Sequence, residues 1–204
     1  DSWKFISPKK TLQEVCNDKS EVEIVIHDED YLQGRSFDDK PDVIEGKQIH
    51  AVFLLPCDRK DRKYDIKLNI ESSLLAINKW FLDKSHNQEL RFDINNKNNI
   101  DVTFLRVNKT MNWFDDKVNK EIEISEKIKN IITSFKYKFH NFDNKKFIIF
   151  FEGWERRKYI NYDICGKADF NGNISIYYTF SRFKKYIGND LILKKNKRIF
   201  TCTK

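Results

Sequence analysis

Three carboxylates, Asp58, Asp61 and Asp65, fall within eight residues, directly after an apolar run that ends at Pro56. Oxygen donors gathered on a turn beyond a buried strand are what calcium requires, because it is a hard cation that takes carboxylate and carbonyl ligands. Arg59, Lys60, Arg62 and Lys63 are interleaved with them, so the local field opposes a divalent cation, and no EF-hand spacing is present. Two readings stay open. One is a loosely binding calcium site at Asp58, Asp61 and Asp65. The other is a mixed-charge loop in which Asp58 caps backbone amides at the turn.

The histidines are His27, His50, His86 and His140, and no two lie within five residues of each other. His50, inside the apolar run, reads as a core histidine whose ring nitrogens are satisfied by neighbours. Asp93 and Asp101 flank an Asn-rich turn. With a lysine they are carboxylates of the kind a metal-dependent nuclease uses, and equally a pair of edge charges that discourage strand association. No G-x-S-x-G elbow, phosphate-binding glycine loop or dinucleotide fingerprint occurs, and six glycines leave little material for one.

Cys16, Cys57, Cys165 and Cys202 are far apart and form no C-x-x-C pair, which argues against a zinc knuckle. An even number, with Asp1 as the first residue, suits a processed, exported chain with two disulfides. Three pairings are open; Cys16 with Cys57 and Cys165 with Cys202 would each tie a terminal segment to a strand end, and four buried thiols are the alternative. A second group of candidates follows an apolar strand: Trp154, Arg156, Arg157 and Lys158. Aromatic faces interleaved with cations can stack on and neutralise an anionic polymer, a nucleic acid or an acidic glycan.

The elements that must position these residues are legible in the apolar pattern. Residues 49–55 are almost continuously apolar, as are 147–151, and both read as strands buried on two faces. Ile70, Leu74, Ile77 and Phe81, widened by Leu75 and Leu82, mark one face of a helix with Asn69 as its N-cap. Residues 89–94 and 101–107 read as a hairpin beside the first strand. Val118, Ile122, Ile124, Ile128, Ile131, Ile132 and Phe135 predict a long helix from Asp115 to about His140. Residues 21–27 and 174–180 alternate as further strands, and 28–47, with Gly34, Pro41 and Gly46, reads as a charged loop or linker. Strand, helix, strand, strand, helix, strand is the order of an α+β domain: a mixed β-sheet with two main helices packed on it. The expected organisation is an N-terminal arm over 1–47, a core domain over 48–181 and a basic C-terminal segment over 182–204.

The bulk composition sets the outer limits. The chain is 40% hydrophobic with a net charge of +7 from 38 basic and 31 acidic residues, a mild excess that a mixed-charge surface produces by itself. No apolar run approaches the roughly 18 residues of a membrane-spanning helix.

The run 49–56, Asp58-x-x-Asp61-Arg62, the helix with Trp80, Leu90-Arg91-Phe92-Asp93 and Ile100-Asp101-Val102-Thr103-Phe104 resembles the opening of a family of bacterial secreted, zincin-like zinc metallopeptidases. The resemblance covers about residues 48–153 and implies the sheet-and-helix layout of a zincin N-terminal lobe. The chain departs from that family at the chemistry. A zincin holds zinc through two histidines one helical turn apart, with the glutamate of His-Glu-x-x-His as general base, and that motif is absent. The expectation is a non-catalytic secreted binding or structural protein at the cell surface, in the periplasm or outside the cell. The alternatives are the non-catalytic portion of a zinc metallopeptidase whose catalytic helix lies outside this chain, or a binder of an anionic polymer. Export makes a protein or anionic glycan partner, or self-association, more natural than nucleic acid.

Overall fold

A computed structural model describes residues 16–115, 123–153, 155–156, 163–164, 166–168 and 172–178. Its frame is a five-stranded sheet in the order β2-β1-β3-β7-β6, built from β1 (Gln48–Pro56), β2 (Val102–Val107), β3 (Lys145–Phe151), β6 (Gly166–Ala168) and β7 (Ile174–Tyr178). The first four in that order run parallel, and β6 pairs antiparallel with β7, so the sheet is mixed and the fold α+β. A separate pair joins β4 (Glu155–Arg156) to β5 (Asp163–Ile164).

Strand β1 is central, and its alternation divides the core. Val52 and Leu54 point to one face, with Leu105, Ile149 and Phe151; Ala51, Phe53 and Leu55 point to the other, with Phe104 and Phe150. The first face is covered by α3 (Ile124–Ser134) through Ile124, Ile128, Ile131 and Ile132, and by α2 (Met111–Phe114), a single turn capped by Thr110 Oγ1. The second is covered by α1 (Asn69–Lys84) through Ile70 and Leu74. Each fully buried large apolar side chain contributes about 1.5–3 kcal/mol. The continuous apolar runs of β1 and β3 are therefore the signature of strands covered on both sides.

Several elements differ from the sequence expectation. The α3 helix ends at Ser134, and Lys136–Lys138 form a 3-10 turn. That turn brings Phe139 onto Phe147 at a centroid distance of 4.9 Å, a contact that a helix continued to His140 would carry elsewhere. Residues 116–122, expected in the same helix, lie outside the described residues. Residues 89–94 form no strand. Phe92 makes one parallel bridge to Ile49, and Ile94 one antiparallel bridge to Ile100, because β2 runs parallel to β1 and leaves no room for a hairpin between them. Residues 21–27 likewise make one bridge, Ile24 to Val107, along the outer edge of β2. Leu68, with φ 57°, takes the N-cap position of α1, and Asn69 is already the first helical residue. Only the first half of α1 is well buried; Ile77 and Trp80 are exposed.

The segment 28–47, read as a linker, lies on the sheet. Ser36 bridges Thr103, and Phe104 N donates to Ser36 O at 2.8 Å. It delivers Asp30, Arg35, Asp39 and Asp42 to two buried ionic clusters.

Candidate functional site

The first cluster contains two of the three expected calcium ligands, and a guanidinium stands between them. Arg35 Nε donates to Asp65 Oδ2 at 2.7 Å and Nη2 to Asp65 Oδ1 at 2.8 Å, while Nη1 donates to Asp61 Oδ2 at 2.8 Å. The guanidinium also lies 3.9 Å from the centroid of the Phe104 ring, a favourable stacking position for a planar cation. Burial works against the charge on Arg35, and the bonds to Asp65 and Asp61 outweigh it, holding its pKa above the ordinary arginine range. Next to it, Arg106 Nε and Nη2 grip Asp30 at 2.9 and 2.7 Å. Asp58 stands apart, accepting Met111 N at 2.8 Å and so anchoring the start of α2. Asp61 Oδ1 also accepts Lys63 N at 2.7 Å, which supports the positive φ of Lys63.

The second cluster lies at the amino-terminal ends of β1 and β3. His50 Nδ1 is 2.8 Å from Asp93 Oδ2 and 3.5 Å from Asp39 Oδ1, and its Nε2 is 2.9 Å from Thr103 Oγ1. Lys145 Nζ donates to Asp39 Oδ2 and to Asp93 Oδ2 at 2.5 Å, and forms an ion pair with Asp42 Oδ1 at 2.7 Å. The side chains of His50, Asp39, Asp93 and Lys145 are 0–1% exposed. Burial pushes Asp39 up to about 6 against the pull of His50 and Lys145. For Asp93 burial is outweighed by hydrogen bonds from His50 and Lys145, and its pKa falls. The pKa of Lys145 rises, because its bonds to the three carboxylates exceed the cost of burial. Among the described residues, one group of three His, Cys, Asp or Glu side chains converges closely enough to hold a metal, Asp39, His50 and Asp93, with ligand atoms within 4.8 Å of one another.

His50 is thus the satisfied core histidine that its apolar surroundings predict. Asp93 and Asp101 are not edge charges. Both are buried, Asp93 on His50 and Lys145, Asp101 accepting Lys40 N at 2.8 Å. The sequence signal available for this cluster was a lysine opening an otherwise apolar strand. Asp39 and Asp42, in a loop with many acidic residues, carried none.

At the carboxyl end of the sheet, where open α/β sheets place their ligands, the chain closes on itself. Cys16 and Cys57 are bonded, with Cα atoms 5.7 Å apart. Lys109 Nζ donates to Asn17 O and Ser20 O, both at 2.6 Å, and Asn108 holds Glu23 N at 3.0 Å and Glu21 O at 2.9 Å. Glu152 pairs with Arg62 at 3.3 Å. Cys165 and Cys202 lie outside the described residues, as do Trp154, Arg157 and Lys158; Arg156 falls in the two-residue β4.

No family model matches the chain, and no curated protein does. Among solved structures, a crystal structure of catalytically inactive OgpA from Akkermansia muciniphila in complex with an O-glycopeptide substrate aligns at 11% identity and a TM-score of 0.39. That alignment covers 59% of this chain and 34% of the other, so the chain spans about a third of its length.

Proposed function

We propose that this chain is a non-catalytic binding or structural lobe of an exported protein with a zincin-like layout, its partner a protein or an anionic glycan. The observation that carries this reading is the burial of its convergent chemistry. A general base or nucleophile must come within hydrogen-bond reach of the atom it attacks. Among the described residues, the imidazole that meets carboxylates is sealed, with its ring nitrogens facing Asp93 and Thr103. Both ionic clusters instead fasten residues 28–47 to the sheet. The Cys16–Cys57 bond supports an oxidising compartment, and among the described residues no helix is long and apolar enough to cross a membrane. Within a longer polypeptide the same lobe would stand beside a catalytic helix that this chain does not contain.

The test pairs a peptidase assay with a binding screen on the purified, oxidised chain. Peptides and O-glycopeptides are incubated with the chain, with and without added zinc, and analysed by mass spectrometry. The same chain is titrated onto sulfated and sialylated glycan surfaces. Intact substrates together with saturable glycan or peptide binding are expected. Turnover by the chain refutes the proposal.

A further inference from the structure

The cluster at the amino-terminal ends of β1 and β3 gathers more carboxylates than lysines. Asp39, Asp42 and Asp93 bring three carboxylates and Lys145 one ammonium, with no side chain of the four more than 9% exposed. Three carboxylates thus face one lysine ammonium and one imidazole. Lys40, the next cation along the segment, pairs with Asp101 at 3.3 Å, and Lys138 with Asp38 at 2.7 Å. Uncompensated buried charge is costly, because the solvation that each ion loses must be replaced by a partner.

Carboxylate oxygens in the cluster are buried without a hydrogen-bond donor. Lys145 bonds the Oδ2 atoms of both Asp39 and Asp93, while their Oδ1 atoms are buried and accept no hydrogen bond. Asp39 Oδ1 lies 3.5 Å from His50 Nδ1. That is the spacing of two ligands on one small ion rather than of a hydrogen bond. Thr103 Oγ1 at His50 Nε2 fixes the ring as an outer-sphere partner does and can accept the proton at Nε2 when an ion replaces the Nδ1–H bond to Asp93, which frees the Nδ1 lone pair for a ligand bond.

We propose that Asp39, His50 and Asp93 form a buried structural site for one divalent transition-metal ion of the zinc type, with Lys145 bridging the far oxygens of the two carboxylates. A divalent ion would offset the carboxylates and give the two Oδ1 atoms a partner. Mixed nitrogen and oxygen donors suit zinc, whereas calcium takes roughly six to eight oxygens. Since the site is closed, the ion enters while residues 28–47, which carry Asp39, are still unfolded, and metal uptake is coupled to folding. Protonation of the cluster is the competing way to neutralise it.

The experiment uses the full oxidised chain, unfolded in guanidinium with chelator and refolded by dilution into zinc or into chelator. Metal content after desalting is read by mass spectrometry, and the zinc environment by X-ray absorption. Expected is about one zinc per refolded chain, a nitrogen-and-oxygen environment, and a higher unfolding midpoint than in the chelated sample. Asp39→Asn and His50→Gln lower retained zinc by about tenfold or more, while Asp61→Asn, in the other cluster, and His86→Ala, outside both, retain it. Either wild-type chain refolded to the same midpoint without bound zinc, or zinc retained undiminished by a correctly folded Asp39→Asn, overturns the site. Because the first readout needs only the wild type, failure of a variant to fold does not protect the proposal.

Discussion

Replacing Arg35 with methionine removes a guanidinium from between two carboxylates while retaining most of the side chain's length. The Arg35 side chain is 0% exposed, and those of Asp61 and Asp65 are 5% and 3% exposed, so water does not replace the lost partner. Breaking a buried pair by removing one member costs about 3–5 kcal/mol, since the remaining charge is left unsolvated. Two carboxylates are stranded here, which places Arg35→Met at the upper part of that range. A domain has only about 5–15 kcal/mol in total. At about 2–4 °C per kcal/mol for a chain of this size, the melting temperature falls by roughly 8–20 °C. Urea unfolding followed by circular dichroism measures the loss. The triple variant with Asp61→Asn and Asp65→Asn recovers part of it, because the stranded charges are gone. A loss under about 1 kcal/mol, or a triple variant worse than Arg35→Met by the sum of its parts, would refute the claim that this cluster clamps the 28–47 segment.

Three further outcomes follow from the same geometry. Reducing the Cys16–Cys57 bond releases a loop of sequence separation 41; loop-closure entropy makes this worth about 4 kcal/mol, read as a drop in the urea midpoint that a Cys16→Ser, Cys57→Ser chain reproduces without reductant. Burial and the nearby Arg106 lower the pKa of His27 below its ordinary 6.5. The unfolded chain therefore takes up the proton first, and stability is full above about pH 6.5 and declines as the pH falls through that value toward the folded one. His27→Leu flattens that decline, and an unchanged slope in the variant excludes His27 as its source. Finally, Leu74→Ala removes a fully buried contact of α1 with the sheet and costs about 2–5 kcal/mol. Trp80→Ser, at a side chain 61% exposed, changes stability by under about 0.5 kcal/mol; equal losses at the two positions would show that α1 packs in a different rotation.

What the sequence by itself determined is the buried framework. Ile49 to Leu55 and Phe147 to Phe151 are apolar on both alternations, and only a strand covered on two faces needs that. Ile124, Ile128, Ile131 and Ile132 recur at helical spacing and mark the buried face of α3. His50, polar among apolar neighbours, had to find internal partners, because an unpaired buried imidazole is costly. The partners themselves were decided by tertiary structure. Asp39 and Asp42 are 106 and 103 residues away from Lys145 along the chain, and no local pattern distinguishes them from Asp38 or Asp28. Periodicity reports which face of an element is apolar, whereas an ion pair depends on where two chain segments cross. For the same reason the pairing of Asp61 and Asp65 with Arg35, thirty residues upstream of Asp65, is not legible in the local spacing. Asp93 and Asp101, open in the sequence as nuclease-type carboxylates or as edge charges, are buried against His50, Lys145 and Lys40.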